Sequence, residues 1–279
     1  EALFKIAAHT EDKDALIFVG LPLAVDGELY NVAAALNHGK ILGLTTKTFL
    51  PNYGEGYELR QFQPGPKKAD WVWYEGDEIP FGPKILYSCY EMPNLVVSAE
   101  ICEDVWSPIP PSIEAALCGA TIIVNCSASN ETVGKDAYRN QLISGQSARL
   151  IAGYVYANAG EGESTTDVVY GGHNIIAENG VVLEESTRFI NDTIYSEIDI
   201  ERIVELLCRN IFGQIHISVE RCDIGIAKLI HKVMPGFVCH IESATLTLIG
   251  SEITLINDHC FTGIQNLRNL TIIDYLECS

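Results

Sequence analysis

A cysteine at position 102 closes the apolar run NLVVSAEIC, and a lysine at position 47 closes KILGLTTK. Each falls where a strand is expected to leave its sheet, and the rim where strands end is where α/β proteins present reactive side chains. A thiol near neutral pH is mostly protonated, so a nucleophilic cysteine needs a neighbouring cation or base to become a thiolate. Lys47 is the candidate cation, and the chemistry expected of such a pair is covalent catalysis through sulfur. Taken singly, both residues have commoner uses. A strand-end cysteine usually packs as a small hydrophobe, and a strand-end lysine is usually solvated.

Other polar residues carry weaker signals. Glu58, in YELR, reads on its own as a surface carboxylate paired with Arg60. His173, in YGGHNII, has no second histidine or carboxylate at metal-ligand spacing and reads as a hydrogen-bonded loop histidine. The GEGES segment around Gly160 lacks the Lys-Ser/Thr ending of a phosphate loop. The nine cysteines form no C-x-x-C pair, so neither a zinc site nor a dithiol redox site is expected, and most are read as small buried hydrophobes.

The elements that must position these groups follow from pattern. Helical periodicity marks Ala2 to Ala8, and the continuous apolar run from Ala15 to Leu23 predicts a strand buried on both faces. Tyr30–Asn37 and Lys40–Lys47 flank a His38-Gly39 turn and predict a hairpin. Thr48 to Tyr90 is rich in Pro and Gly and is read as irregular, with one short strand at most. From Leu95, strand and helix alternate through SIEAALCG, ATIIVNC, KDAYRNQLISGQSARLI and YVYANAG, with Ser112 as an N-cap and Gly119 as a stop. A second hairpin turns at Asn179-Gly180, and TIYSEIDI leads into the helix ERIVELLCR. Strands outnumber helices, which favours stacked sheets flanked by helices. Residues 210–279 differ in character: SEITLINDHCFTGIQNLRNLTIID is faintly similar to one leucine-rich-repeat unit, and one such unit cannot bury its own face.

Length and composition bound the possibilities. The 279 residues suit one large domain, or one domain plus an appendage, and 47% hydrophobic with 20% charged residues is ordinary globular composition. Eighteen basic against 37 acidic residues give a net charge of −19, which repels phosphate backbones and anionic lipid, so neither nucleic acid nor a membrane is expected as a partner. The longest early apolar run is too short to span a bilayer and lacks signal-peptide flanks, so a cytoplasmic location is the expectation.

Two segments change the weight of the Lys47–Cys102 pair. KTFLPNYGEGYELRQF from Lys47, followed by EICEDVWSPIPPS from Glu100, closely resembles the glutamine-hydrolysing domain of glutamine-dependent NAD synthetases, a branch of the nitrilase or carbon-nitrogen hydrolase superfamily. GLPL at Gly20, YN at Tyr30, GKILG at Gly39, SAS at Ser127 and YVYANAGEGESTTDVVYGGHNIIAENG from Tyr154 extend the likeness over about residues 2–209. The resemblance implies a nitrilase-like αββα sandwich with a Glu-Lys-Cys triad. By that likeness Cys102 attacks the side-chain amide of L-glutamine, Lys47 stabilises the oxyanion, and Glu58 braces the lysine and the substrate. Tyr53, Glu103, Trp106, Ser129 and Lys135 fall at positions resembling the glutamine pocket, where Glu103 suits the substrate ammonium and Lys135 its carboxylate.

The likeness has departures. The triad's glutamate lies in the family in a proline-glutamate segment after an early strand, and nothing in Glu1 to Gly20 resembles it. The domain is therefore expected to lack its first strand and its general base, with little or no turnover, since a base contributes about 10²- to 10⁴-fold. Gly56 stands where the family usually carries an aromatic. No Ser-Gly-Gly-x-Asp-Ser loop follows residue 209, so the ATP and Mg²⁺ of the family's synthetase domain, the ammonia-accepting partner, are not expected in this chain, and no metal or cofactor is expected at the site. A homo-oligomer is implied by resemblance alone. A non-catalytic assembly module of the same fold, or an amidase of another specificity, are the alternative readings.

Overall fold

Two turns fold the first third of the chain back on itself. Asp26-Gly27 (φ 50° and 83°) joins β1 (Ile17–Val25) to β2 (Glu28–Asn37), and His38-Gly39 (φ 45° and 76°) joins β2 to β3 (Lys40–Thr46). Two-residue hairpin loops of type I′ need positive φ at both central positions, which residues such as Asp-Gly tolerate. The hairpin expected at His38-Gly39 is present. The structure, a computed structural model, describes residues 1–54, 56–74, 76–165, 167–213, 246–249 and 270–273.

β1 departs from expectation. It lies at the edge of a five-stranded sheet of order β1-β2-β3-β5-β4, and of its nine residues only Leu23 is fully buried. An apolar run reports hydrophobicity but not the number of flanking strands; β2 flanks β1 on one side alone. The Thr48–Tyr90 region also holds more strand than expected: β4 (Asp70–Tyr74), β5 (Asp77–Gly82) and β6 (Leu86–Ser88). β5 is anchored by parallel pairing to β3, Leu44 opposite Phe81, a contact no local pattern announces.

The second sheet has six strands in the order β11-β10-β9-β8-β7-β6. Its centre is parallel: β7 (Val96–Ile101), β8 (Ile122–Ser127) and β9 (Gly153–Asn158), with α2 (Pro111–Leu117) and α3 (Lys135–Leu150) in the crossovers. β10 (Ile175–Glu178) and β11 (Val181–Glu185) form the hairpin expected at Asn179-Gly180. Ser112 is not the cap of α2. The helix starts at Pro111, whose fixed φ suits the first position, and the amide of Ser112 donates inward to Glu100 Oε2 at 2.9 Å. TIYSEIDI joins no sheet; instead Asp199 caps α4 (Ile200–Gly213) by accepting from the amide of Arg202 at 2.9 Å.

Strand alternation sorts side chains into three layers. On β2, Val32, Ala34 and Leu36 face outward to Leu3 and Ala7 of α1 (Ala2–Ala8). Ala33 and Ala35 face inward, toward clusters holding Val97, Ala99 and Ile101 of β7. Beyond the second sheet, Ile123, Tyr154 and Ile175 pack against Ala115 of α2 and Ile143 of α3. This is the αββα sandwich that the resemblance implies. β7 is buried at all six positions, including Glu100.

Two compact units are distinguished, residues 1–116 with 120–203, and residues 117–119 with 204–279. In the second, β12 (Leu246–Ile249) and β13 (Leu270–Ile273) pair in parallel, Leu246 opposite Leu270. The repeat-like stretch 251–274 otherwise lies outside the described residues. No described helix is long and apolar enough to cross a membrane.

Candidate active site

Cys102 stands at a sharp turn. β7 ends at Ile101, Cys102 takes φ +45°, and a 3₁₀ turn follows over Cys102–Trp106. Positive φ is uncommon for a residue with a Cβ, and such strain clusters at functional positions, where a strand-to-helix elbow lifts a nucleophile clear of its sheet. The amide of Cys102 donates to Asn125 Oδ1 at 2.9 Å, which fixes the elbow to β8. Asn125 Nδ2 in turn donates to Tyr154 Oη (3.1 Å), and Tyr154 donates to Glu100 Oε1 (2.5 Å). Burial pushes the Glu100 carboxyl up from its ordinary range, against the pull of these donors. Because glycine relieves the φ penalty, Cys102→Gly is expected to be more stable than Cys102→Ala by about 1 kcal/mol, read as a shift in urea midpoint at equal m.

Lys47 follows β3 directly and is 3% exposed. Its amide donates to Asn31 O and its carbonyl accepts from Gly65 N. Its Nζ donates to Glu58 Oε2 at 2.5 Å, and Glu58 Oε1 accepts from Asn31 Nδ2 at 2.6 Å. Glu58 therefore pairs with Lys47 rather than with Arg60, whose guanidinium lies 4.4 Å from the Tyr57 ring centre. A buried ammonium is sustained only with such a partner.

Lys47, Glu58 and Cys102 line one cavity of about 850 Å³, together with Tyr53, Glu103, Trp106, Ser129 and Lys135. All eight residues singled out in the sequence are thus brought to one place. Tyr53 Oη donates to Glu103 Oε1 at 2.5 Å. Lys135 Nζ lies 5.3 Å from the Trp106 ring centre and donates to Asn130 Oδ1 at 2.5 Å. Glu103 and Lys135 thus add an acidic and a basic group to a lining that also holds Lys47, Glu58 and Asp167. Gly56 also lines the cavity; a Cβ there would meet Pro51 Cβ and Tyr53 O at 3.1 Å, so a larger side chain requires the loop to move.

Sequence reasoning did not single out Asn31, Asn158, Asp167 and Tyr170, which also line the cavity. Asn31 was visible only as half of the YN motif, and Asp167 and Tyr170 sit on the loop after GEGES. It also missed Asp104 and Arg139, neither of which is exposed. Asp104 accepts from the amides of Thr48 (3.0 Å), Phe49 (2.8 Å) and Ile101 (2.9 Å). Burial pushes its carboxyl up to about 7; the N–H donors pull the other way and nearby Glu100 adds to the rise.

Arg139 supports the far wall. Nη1 donates to Glu131 Oε1 (2.9 Å) and to His173 Nδ1 (2.7 Å), and Nη2 reaches Asn130 O (3.1 Å) and Ser129 Oγ (3.4 Å). A guanidinium only donates, so His173 Nδ1 is an acceptor and its proton is assigned to Nε2, which faces Glu185 Oε1 at 2.6 Å. His173 is the hydrogen-bonded histidine that its sequence context suggested. Among the described residues no cluster of three metal-binding side chains occurs. Of the cysteines whose side chains are described, none is in a disulfide; Cys118 is exposed and Cys89, Cys102 and Cys126 are half-buried, Cys102 and Cys126 packing on the cluster of Ala33, Ala99 and Ile101, while the remaining cysteines lie outside the described side chains.

The chain is 41% identical over 201 residues to the glutamine-dependent NAD(+) synthetase of Mycobacterium tuberculosis, covering 72% of this chain and 30% of that protein. The crystal structure of a glutamine-dependent NAD(+) synthetase from Cytophaga hutchinsonii superposes with a TM-score of 0.61 at 30% identity, over 72% of this chain and 33% of that one. Saccharomyces cerevisiae Nit3, a member of branch 10 of the nitrilase superfamily, shares the fold at 17% identity and a TM-score of 0.58, over 79% of this chain and 72% of that one. The chain thus spans about a third of the length of the synthetases it matches. The carbon-nitrogen hydrolase profile matches residues 1–206, in which the Cys102 elbow and the Lys47 strand end both lie, and the chain belongs to the carbon-nitrogen hydrolase family.

Proposed function

We propose that this domain cleaves the side-chain amide of L-glutamine through a thioester on Cys102. The observation that carries the reading is a buried Lys47, braced by Glu58, lining the same cavity as a cysteine at a strained elbow. The sulfur adds to the amide carbon, and Lys47 stabilises the negative charge on oxygen. The C–N bond then breaks and ammonia leaves with the proton it gains. Water cleaves the γ-glutamyl thioester to glutamate and the free thiol. Preorganised charge of this kind is commonly the largest catalytic contribution. Glu103 and Lys135 take the substrate's ammonium and carboxylate, while Tyr53, Trp106 and Ser129 complete the wall. The steps use thiol, amide and water, with no redox change and no phosphoryl group.

Proton transfer from the thiol is the weak point. Among the described residues no hydrogen bond joins Cys102 Sγ to a carboxylate, and Glu58 and Glu103 are engaged by Lys47 with Asn31 and by Tyr53. Turnover by this chain alone is therefore expected to be slow and limited by acylation of Cys102, the step that needs the thiol proton removed. The relatives are glutamine-dependent NAD(+) synthetases, which supports a synthetase domain, with its own ATP and Mg²⁺, as the acceptor of the ammonia.

The test is ammonia and glutamate release from L-glutamine, with mass spectrometry of the Cys102 peptide for a γ-glutamyl adduct and Cys102→Ala as control. Folded protein that shows neither product nor adduct sinks the proposal. Aliphatic nitriles, simple amides and ureido compounds run in parallel distinguish another amidase specificity on the same scaffold.

A further inference from the structure

The two reactive groups come from different sheets, and something must hold one strand end at a set distance from the other. Lys47 Nζ is secured at its tip by Glu58, but Glu58 and Asn31 belong to the Lys47 side of the cavity and say nothing about Cys102. The elbow is secured to Asn125 within the second sheet. Tyr53 reaches Glu103 from farther along the loop; among the described residues Asp104 bonds directly to both strand ends. Asp104 Oδ1 accepts from the amides of Thr48 and Phe49, the two residues after Lys47, and Oδ2 accepts from the amide of Ile101, the residue before Cys102.

We propose that Asp104 is the positioning residue that sets the spacing of Lys47 and Cys102, its carboxylate clamping the strand end that carries the cation to the elbow that carries the sulfur. The assignment rests on Lys47 and Cys102 acting as a pair, as in the function proposed above. Only an acceptor at both oxygens can make this bridge. Burial pushes the Asp104 carboxyl up to about 7, and above that pH, where the comparison below is made, the ionised carboxylate offers both acceptors; an amide of the same shape has an acceptor on one side and a donor on the other. In Asp104→Asn one of the two segments is left facing an N–H₂ group, and the clamp opens on that side. The residue is fully buried, so water does not readily replace the lost acceptor. A displacement of about 1 Å at a reacting pair can cost about 10²-fold in rate.

The test reads Cys102 itself and does not depend on turnover. The intact chain is treated with iodoacetamide and the rate constant for carboxamidomethylation of the Cys102 peptide is followed by mass spectrometry. It is compared among the unmodified protein, Asp104→Asn, Lys47→Met and the double variant. A cation close to sulfur favours the reactive thiolate, so Lys47→Met should slow labelling by roughly tenfold. Asp104→Asn should slow it comparably, and the double variant should be no slower than Lys47→Met, because Asp104 acts through Lys47. Two results overturn the proposal. One is a lowered Tm in Asp104→Asn with the labelling rate unchanged within about twofold, the outcome of a purely structural role. The other is a double variant slowed by the product of the single effects.

Should Asp104→Asn fail to fold, hydrogen exchange in the unmodified protein decides. The amides of Thr48, Phe49 and Ile101 should be protected together, and unprotected exchange at Thr48 and Phe49 in folded protein overturns the clamp. A chain that releases no ammonia but shows the labelling pattern above loses the glutaminase reading and keeps this one.

Discussion

Lys47→Met is expected to lower kcat for amide cleavage by about 10²- to 10³-fold, the loss typical of removing one preorganised oxyanion partner. Two effects are mixed in that variant and can be separated. Methionine removes the cation, and it also leaves Glu58, whose side chain is only 14% exposed, with Asn31 Nδ2 as its remaining donor in the pair. A partly buried carboxylate that loses its cation destabilises the fold, so the single variant should also unfold earlier in urea. In Lys47→Met/Glu58→Gln the orphaned charge is gone, and most of the lost stability should return while activity does not. Recovery of activity in the double variant would show that Lys47 serves the fold and not the reaction.

The second large effect concerns stability. Arg139 is fully buried and supplies donors to Glu131, His173, Asn130 and Ser129. Arg139→Met is expected to cost about 3 kcal/mol, the low end of the range for breaking a buried pair. The figure sits at the low end because Arg188 Nη1 remains 3.4 Å from Glu131 Oε2. Arg139→Met/Glu131→Gln should recover part of the loss, measured as urea midpoint at constant m. A single variant within about 0.5 kcal/mol of the unmodified protein would mean that the network contributes little net stability. The same substitution removes donors from the carbonyl of Asn130 and the hydroxyl of Ser129, so the cavity wall that carries Lys135 should loosen with it.

The charge networks explain how so acidic a chain keeps cations inside. Lys47 and Arg139 are both nearly or fully buried, and each is matched to a carboxylate, Arg139 also to neutral acceptors. Buried ions of this kind are poor sources of net stability but costly to disturb, which ties the integrity of the cavity to that of the fold.

Local chemistry was legible from residue order. The turns at His38-Gly39 and Asn179-Gly180, the alternation of strand and helix after Leu95, and the strand-end places of Lys47 and Cys102 all depend on residues within a few positions of each other. Family motifs extended that reading to eight side chains, all of which meet at one cavity. Tertiary structure alone decided the rest. Whether β1 is central or at an edge depends on which strands flank it, and whether Glu58 takes Lys47 or Arg60 depends on segments that come together only on folding. Asp104 and Arg139 read as ordinary charged residues in sequence, because nothing local states that a side chain will be fully buried or that amides fifty-five positions away will need its oxygens. Pattern within a turn or a strand is written in neighbouring residues; the pairing of distant backbone donors with one buried carboxylate is a property of the packed chain.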